Sequence, residues 1–227
     1  MIFTRYEWLA ILYYRRINML NLMCKTIHED KLEVLYDRPF TKESLVDDFD
    51  IKGGKWHVDE EGWLIGENRE CSAAMVLSKA DYFGDVLIEF DAATVLPATR
   101  DINVTFHGSW DDERDKRHVA YVFGLQGWWR GYIGFERSPD YKFGVNTELF
   151  KFEPGKVYHI AVGNIKNNLF IFVDGVLAIE IMDPNPIDIN KYGRVGFEAF
   201  CTRVKYKNVK IKRIVAEYTK PDYEPEF

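Results

Sequence analysis

The chain has 227 residues, of which 47% are hydrophobic and 15% are aromatic, enough to fill the core of one large domain. Its formal net charge of −6 argues against a nucleic-acid-binding surface, because phosphate binding depends on an excess of basic residues. No run of about 18 apolar residues occurs, so no membrane-spanning helix is predicted.

Residues 1–29 are predicted to lie outside the main domain. The apolar run Trp8–Tyr14 is followed by two arginines, whereas a secretory signal carries its positive charge before the apolar run. We therefore expect a short amphipathic helix or a poorly ordered extension, and Met19 and Met23 leave open whether this segment belongs to the native protein. In the absence of a recognisable signal peptide, a cytoplasmic location is predicted.

The first half of the main domain alternates between apolar and polar residues in short segments separated by turns. Thr41 is expected to cap a helical turn. Glu89 and Asp91 share one face of a predicted strand, and Asn103 and His107 share one face of the next, each opposite apolar residues. The predicted strands are Lys31–Tyr36, Lys55–Val58, Trp63–Ile65, Ala73–Leu77, Asp85–Thr94 and Ile102–His107.

The second half repeats this pattern. Asp174-Gly175 is a strong hairpin turn signal. Glu198 and Phe200 lie on the face opposite Val195 and Phe197. The predicted strands are Val157–Ile165, Leu169–Val173, Val176–Met182, Gly193–Cys201 and Val204–Ile214. About a dozen short strands with few helices predict an all-β antiparallel sandwich or jelly roll over residues 30–215, followed by a tail at 216–227.

The three cysteines, Cys24, Cys71 and Cys201, are widely separated and odd in number. They form no C-x-x-C motif, which argues against a disulfide framework and against a zinc site. Cys201 falls within an apolar β pattern and is expected to be a small core residue. This use of cysteine fits a reducing compartment.

The stretch from Asp101 to Arg137 carries the most suggestive side chains. Trp128, Trp129 and Arg130 lie between two glycines, and Glu136 follows in the next apolar run. Aromatic faces stack on the apolar face of a sugar, and arginine binds hydroxyl or carboxylate groups in a fork, so this stretch is predicted to bind substrate. Burial of both tryptophans in the core is the alternative.

Several motifs together resemble a known superfamily. They are KWHVDEEGWLIG and YFGDVLIEFDA in the first half, and NLFIFVDGVLAIEI, GRVGFEA and KYKNVKIKRI in the second. About residues 33–214 resemble the concanavalin A-like lectin/glucanase superfamily, and more closely the laminin-G-like and 3-keto-disaccharide hydrolase-like domains of bacterial sugar-utilisation proteins. The resemblance implies an antiparallel two-sheet jelly-roll sandwich that binds sugars on a concave sheet face.

The catalytic signals are weaker than the fold signals. Glycoside hydrolysis usually needs two carboxylates, and the superfamily's glucanases carry three alternating acids where this chain has only Glu89-Phe90-Asp91. His107 has a suitable intrinsic pKa for a general base, and Glu198 is the second candidate. The acids from Asp111 to Asp115 suggest a structural calcium site, but the basic residues among them favour a solvated loop, so no cofactor or metal is predicted.

We therefore predict a carbohydrate-active protein that binds a sugar or glycoside and cleaves a glycosidic bond if it is an enzyme. A non-catalytic lectin-like module or accessory subunit is the main alternative, and an interaction domain that forms a homo-oligomer is a third. No nucleic-acid or membrane partner is expected. The predicted catalytic residues are His107 and Glu198, and the predicted substrate-binding residues are Trp128, Trp129, Arg130, Asn103, Glu89, Asp91 and Glu136.

Overall fold

The computed structural model describes residues 19–23, 25–127, 131–148 and 150–218. Most of them belong to strands, and two large antiparallel sheets hold most of those strands. The predicted all-β architecture with two large antiparallel sheets is confirmed.

One sheet has eight strands. Seven of them follow one another across the sheet, and the eighth, Glu33–Tyr36 (β3), pairs beside this path with the long strand Thr202–Arg213 (β19). In spatial order the seven are Val176–Met182 (β17), Asn168–Val173 (β16), Tyr158–Ile165 (β15), Val86–Thr94 (β8), Thr202–Arg213 (β19), Leu64–Asn68 (β6) and Lys55–Val58 (β5).

The other sheet has seven strands, and every pairing in it is antiparallel. Their spatial order is Gly144–Thr147 (β14), Tyr132–Ser138 (β13), Ala120–Gly127 (β12), Ile102–Gly108 (β9), Arg194–Ala199 (β18), Ala74–Ser78 (β7) and Phe49–Lys52 (β4). The chain crosses directly from β18 in this sheet to β19 in the other, so residues 200 and 201 connect the two layers.

The main core lies between the two sheets. It contains fully buried aromatic side chains from both layers, including Phe90 and Tyr206 from one sheet and Phe106 and Phe197 from the other. The rings of Phe197 and Tyr206 lie 4.9 Å apart between centroids. Because successive strand residues point to opposite faces, burying one set of residues here directs the alternate set to the outer face of each sheet.

A small sheet covers part of the outer face of the eight-stranded sheet. Its strands are Met19–Leu22 (β1), Lys25–His28 (β2) and Ala216–Tyr218 (β20). Leu20, Leu22 and Ile27 pack there with Leu87, Phe170, Phe172 and other buried residues in a second apolar cluster. The described part of the N-terminal extension is therefore strand rather than helix, and the first residues of the expected tail complete its sheet.

The remaining elements are short. A turn of 3-10 helix covers Glu29–Lys31. The α-helix Lys42–Asp48 (α1) begins after Thr41, whose side chain accepts a hydrogen bond from the backbone of Ser44 as the sequence predicted. Trp110–Asp111 (β10) and Lys116–Arg117 (β11) form a small hairpin above the seven-stranded sheet. No helix within the described ranges is both long and apolar enough to span a bilayer.

Candidate functional site

A polar cavity of about 440 Å3 lies on the outer face of the seven-stranded sheet. Strands β9, β13 and β18 carry polar residues into it, and β12 contributes Val122 and Gly127. The β10–β11 hairpin and the turn after β18 form its walls. The lining residues are Cys71, Arg100, Asp101, Asn103, Arg117, Val122, Gly127, Glu136, Tyr141, Glu198, Phe200 and Cys201.

Strand register brings polar side chains from neighbouring strands together on this face. Asn103 pairs with Glu198 on one side and with Gly124 on the other. Gly124 in turn pairs with Gly134, and both glycines alternate with core residues of their strands. Two adjacent outward positions in this row therefore carry no side chain, and β14 packs against Gly134, where an added Cβ atom would clash with the carbonyl oxygen of Val145.

Arg117 joins the two acidic residues of the cavity. Its Nη1 atom lies 2.7 and 2.8 Å from the two carboxylate oxygens of Glu198, and its Nη2 atom lies 2.9 Å from Oε1 of Glu136. Thr105 also donates its hydroxyl hydrogen to Glu198. Burial lowers the pKa of the Arg117 guanidinium, but the charge and hydrogen bonds of Glu198 and the charge of Glu136 outweigh this and raise it above the ordinary value. The network is therefore ionic and held in one geometry.

Asp101 adds a third carboxyl group to the cavity. It precedes β9 with a positive φ of 82° and accepts a hydrogen bond of 2.9 Å from Nδ2 of Asn103. A Cβ atom on Gly127 would lie 2.9 Å from Oδ1 of Asp101, so a larger residue at this position would displace the carboxyl group. Burial raises the pKa of Asp101 to about 7, helped by the charges of Glu198 and Glu136 and opposed by Asn103 and Arg100. Near neutral pH this carboxyl group is able to release or accept a proton.

The wall opposite the sheet contains aromatic rings and a disulfide. Phe200 and Tyr141 line the cavity, and the Tyr141 hydroxyl lies 3.5 Å from Nη2 of Arg117. Cys71 and Cys201 form a disulfide with a Cα–Cα distance of 5.1 Å. The sequence argued against a disulfide and placed Cys201 in the core, and both expectations are wrong: Cys201 is only partly buried and is bonded to Cys71. The turn before β7 and the turn after β18 meet at one end of the sandwich although the two cysteines are 130 residues apart in sequence.

Three of the predicted site residues come together in this cavity: Asn103, Glu136 and Glu198. The alternation of β9 and β18 placed the first and last of them on one face, and the register confirms that they are direct neighbours. Their arrangement shows that they share a site, while their predicted roles in substrate binding and catalysis remain predictions.

Glu89 and Asp91 lie elsewhere. They belong to β8 of the eight-stranded sheet and point to its outer face, so they are separated from the cavity by both layers. Glu89 pairs with Lys212 at 2.5 Å, and Asp91 contacts Nδ1 of His159 at 2.8 Å. Alternation predicts which residues of a strand are polar, but not the sheet to which the strand belongs. The expectation that Glu89 and Asp91 share a face with Asn103 and Glu198 is therefore wrong.

His107 is also absent from the cavity. It is fully buried, and its ring nitrogens lie 2.8 Å from Oδ1 of Asn164 and 3.0 Å from the carbonyl oxygen of Tyr192. Its φ of 46° breaks the alternation at the end of β9 and turns the side chain towards the other sheet. Burial lowers the pKa of His107, against the effect of its two hydrogen bonds, which favours the neutral form. The expected alignment with Asn103 is therefore wrong.

Trp128, Trp129 and Arg130 lie outside the described residues. Gly127, which precedes them in the sequence, lines the cavity. Their predicted role in substrate binding stays a prediction.

Sequence reasoning missed Asp101 and Arg117. Arg117 lies in a run of alternating charges that indicates a solvated loop, and nothing local distinguishes a buried arginine from its exposed neighbours Arg114 and Lys116. Asp101 directly precedes a strand, where an aspartate usually belongs to a turn.

The acids between Asp111 and Asp115 do not form a metal site in the structure. Asp111 contacts Arg114, and Asp112 contacts Lys52, so these acids already have cationic partners. Within the described ranges, no group of three or more His, Cys, Asp or Glu side chains is placed to hold a metal ion.

No protein-family model matches the chain, and no curated protein sequence matches it. Solved structures match its fold at low identity. A carbohydrate-binding module, CBM66, from Bacillus subtilis is 16% identical to this chain, with a TM-score of 0.55. The match covers 73% of this chain and 95% of the module. A protein of unknown function with a galectin-like fold, also from Bacillus subtilis, is 14% identical with a TM-score of 0.59, over 81% of this chain and 97% of its own.

A winged bean acidic lectin, solved with methyl-α-D-galactose, is 9% identical with a TM-score of 0.55 and covers 82% of this chain and 100% of its own. At these identities the likeness shows a shared fold. Similar sandwiches carry out different functions, so the function of this chain has to be argued from its own cavity.

Proposed function

We propose that this protein binds a carbohydrate in the cavity on the outer face of the seven-stranded sheet. The observation that carries the proposal is the fixed Glu198–Arg117–Glu136 network beside the rings of Phe200 and Tyr141. Sugar hydroxyls both donate and accept hydrogen bonds, so they suit a site that offers carboxylate acceptors next to a guanidinium donor. The apolar face of a sugar ring suits the aromatic wall.

The arrangement is largely formed before a ligand arrives. Glu198 is 1% exposed and receives hydrogen bonds from Arg117 and Thr105, and Asn103 is held between Asp101 and the paired strands. Fixed side chains lose little conformational entropy on binding, which favours affinity for small polar ligands. Carbohydrate-binding modules and lectins of similar fold support this choice of ligand class.

Cleavage of a glycosidic bond is the second candidate, and Asp101 is the observation that favours it. A carboxyl group with a pKa of about 7 retains a proton that it is able to give to a leaving oxygen, and it lines the same cavity as Glu198. Two carboxyl groups of different acidity are the usual requirement of this reaction. A transglycosylase, Crh5, has a similar fold at 11% identity and a TM-score of 0.55, over 78% of this chain and 83% of its own.

A glycan array followed by calorimetry tests the binding proposal. We expect Phe200→Ala to lower the affinity for the glycan that binds best by about tenfold, which corresponds to about 1.4 kcal/mol of binding free energy. Asp91→Asn, on the other sheet, serves as control and should leave affinity unchanged. Binding to no glycan, or equal losses in both variants, would contradict the proposal.

Turnover separates the two candidates. If the protein cleaves its glycan, new reducing ends appear, and Asp101→Asn removes this activity while binding persists. If Asp101 acts as the proton donor, the rate should fall as pH rises above about 7, because the carboxyl group then loses its proton. A bound glycan that is never cleaved would leave the protein as a binding module.

A further inference from the structure

Among the described residues, three carboxyl groups and two arginines line the cavity: Asp101, Glu136, Glu198, Arg117 and Arg100. Glu136 and Glu198 both contact the guanidinium of Arg117. Arg100 is exposed at the rim, where its charge is well screened. With all three acids ionised, the described lining of the cavity therefore carries more negative than positive charge.

Asp101 is the acid that Arg117 leaves without a cation. Among the described residues it accepts one side-chain hydrogen bond, from the neutral amide of Asn103, and it forms no ion pair. Glu136 and Glu198 each contact a guanidinium nitrogen within 3 Å. A ligand cation beside Asp101 would therefore gain an attraction that the protein itself does not satisfy.

We propose that the carbohydrate bound in this cavity is an amino sugar whose free ammonium group lies against Asp101, and that sugars bearing carboxylates are excluded. This inference rests on the proposed carbohydrate site. An ammonium group supplies the missing cation, and its hydrogens replace the water that solvates the carboxylate. A sugar carboxylate would instead face three acidic side chains.

The charge state of Asp101 gives the selectivity a pH dependence. The groups that act on Asp101 from the surrounding elements are Glu198, Glu136 and Arg100 as charges and Asn103 as a hydrogen-bond donor. Below a pH of about 7 the carboxyl group is largely protonated, and an ammonium group then gains little from it. The preference for an amine should therefore develop as pH rises towards 7 and above, until the amine itself loses its proton.

A panel of immobilised glycans tests this inference directly. Each sugar backbone is presented with a free amine, with an N-acetyl group and with a carboxylate, and binding is measured at about pH 5.5 and about pH 7.5, on either side of the Asp101 transition. For the sugar that binds, we expect the amine form to bind about tenfold more tightly than the N-acetyl form at the higher pH. At the lower pH the two affinities should agree within about threefold. The carboxylate form should bind most weakly.

Asp101→Asn keeps the shape of the side chain and removes its charge. The substitution should abolish the preference for the amine form over the N-acetyl form. Retained binding of the N-acetyl form would show that the variant is folded. Asp37→Asn is the matched control, because Asp37 pairs with Lys210 on the other sheet. Equal binding of amine and N-acetyl forms at both pH values, or preference for the carboxylate, would overturn this inference alone. Failure of every form to bind would overturn the proposed function as well.

Discussion

The two outer faces of the sandwich carry similar alternating acids but use them differently. On the eight-stranded sheet, Glu89 pairs with Lys212 and Asp91 with His159. Glu29 also lies against Glu89, and burial together with that charge raises the pKa of Glu29. On the seven-stranded sheet, Glu136 and Glu198 share Arg117. A groove of about 510 Å3 also lies on the first of these faces, so the presence of space does not distinguish them.

Charge balance and burial do distinguish them. The eight-stranded face gives Glu89 and Asp91 separate basic partners, Lys212 and His159, and is partly covered by the small N-terminal sheet. The seven-stranded face holds a nearly buried network with a third acid, Asp101, beside it. A fold gains nothing in stability from gathering like charges, so the arrangement of the second face favours a role in binding.

The largest expected effect comes from removing Arg117. Arg117→Met leaves Glu198 buried without its cation and should lower the free energy of unfolding by about 3–5 kcal/mol. Lys210→Met on the other face breaks a pair whose side chains are 44% and 48% exposed, and should cost about 1 kcal/mol or less. Urea unfolding of both variants measures the difference. Similar small losses would mean that the cavity network is no more than a surface ion pair.

The next effect comes from the disulfide on the cavity wall. Replacing Cys71 and Cys201 by serine opens a loop of 130 residues and should lower the free energy of unfolding by about 2–5 kcal/mol. A reducing agent should lower the stability of the wild-type protein to that of the variant. If the reducing agent has no effect, the two cysteines are not joined in the purified protein.

The disulfide also bears on where the protein works. Disulfides persist mainly in oxidising compartments, which favours a location outside the reducing cytoplasm. The cytoplasmic location expected from the sequence stays a prediction, and the thiol content of protein taken from its native cells would test it.

A smaller change in the free energy of unfolding is expected for Asp101→Asn, and the substitution should stabilise the protein above pH 7. The folded-state pKa of Asp101 is about 7, above its ordinary value of 3.8, so the folded protein keeps a proton that the unfolded chain releases between these values. Wild-type stability should therefore decrease as pH rises through this window. The asparagine side chain does not titrate, so the variant does not lose stability in this way. Above pH 7 its free energy of unfolding should exceed that of the wild type by about 1–2 kcal/mol, after allowance for solvent screening of a partly exposed group.

Unfolding curves collected at intervals from about pH 4 to about pH 8 measure this difference. A constant difference between Asp101→Asn and wild type across the whole range would show that Asp101 keeps an ordinary pKa.

The smallest effect is expected on the opposite face. Asp91→Asn weakens a contact with His159, whose side chain is 53% exposed, and should change stability by less than about 1 kcal/mol. Glycan affinity should stay the same. A large loss of affinity in this variant would move the site to the eight-stranded sheet and reverse the comparison of the two faces.

The sequence predicted the strands well because alternation is a local property of the chain. Burial of Phe197 and the outward position of Glu198 follow from adjacent residues, and both are observed. His107 departs from the pattern because a single positive φ reverses its direction at the strand end, and no neighbouring residue signals this. Local alternation therefore predicts faces only where the strand stays regular.

The assembly of the site depends on contacts between distant parts of the chain. Arg117 reaches Glu198 across 81 residues of sequence, and Cys71 reaches Cys201 across 130. Asn103 lies beside Gly124 and Glu198 because of the order of the strands in the sheet. The alternation of apolar and polar residues along one strand does not predict that order. For the same reason, the sequence placed Glu89 beside residues that lie on the other sheet.

The most direct test of the central claim is a nuclear magnetic resonance titration of the labelled protein with the glycan that binds best. We predict that backbone amide signals shift at Asn103, Val122 and Glu198 in the cavity, while those of Asp91 and Lys210 stay in place. Shifts confined to Asp91 and Lys210, or no shift at saturating glycan, would contradict the assignment of the binding site to the seven-stranded sheet.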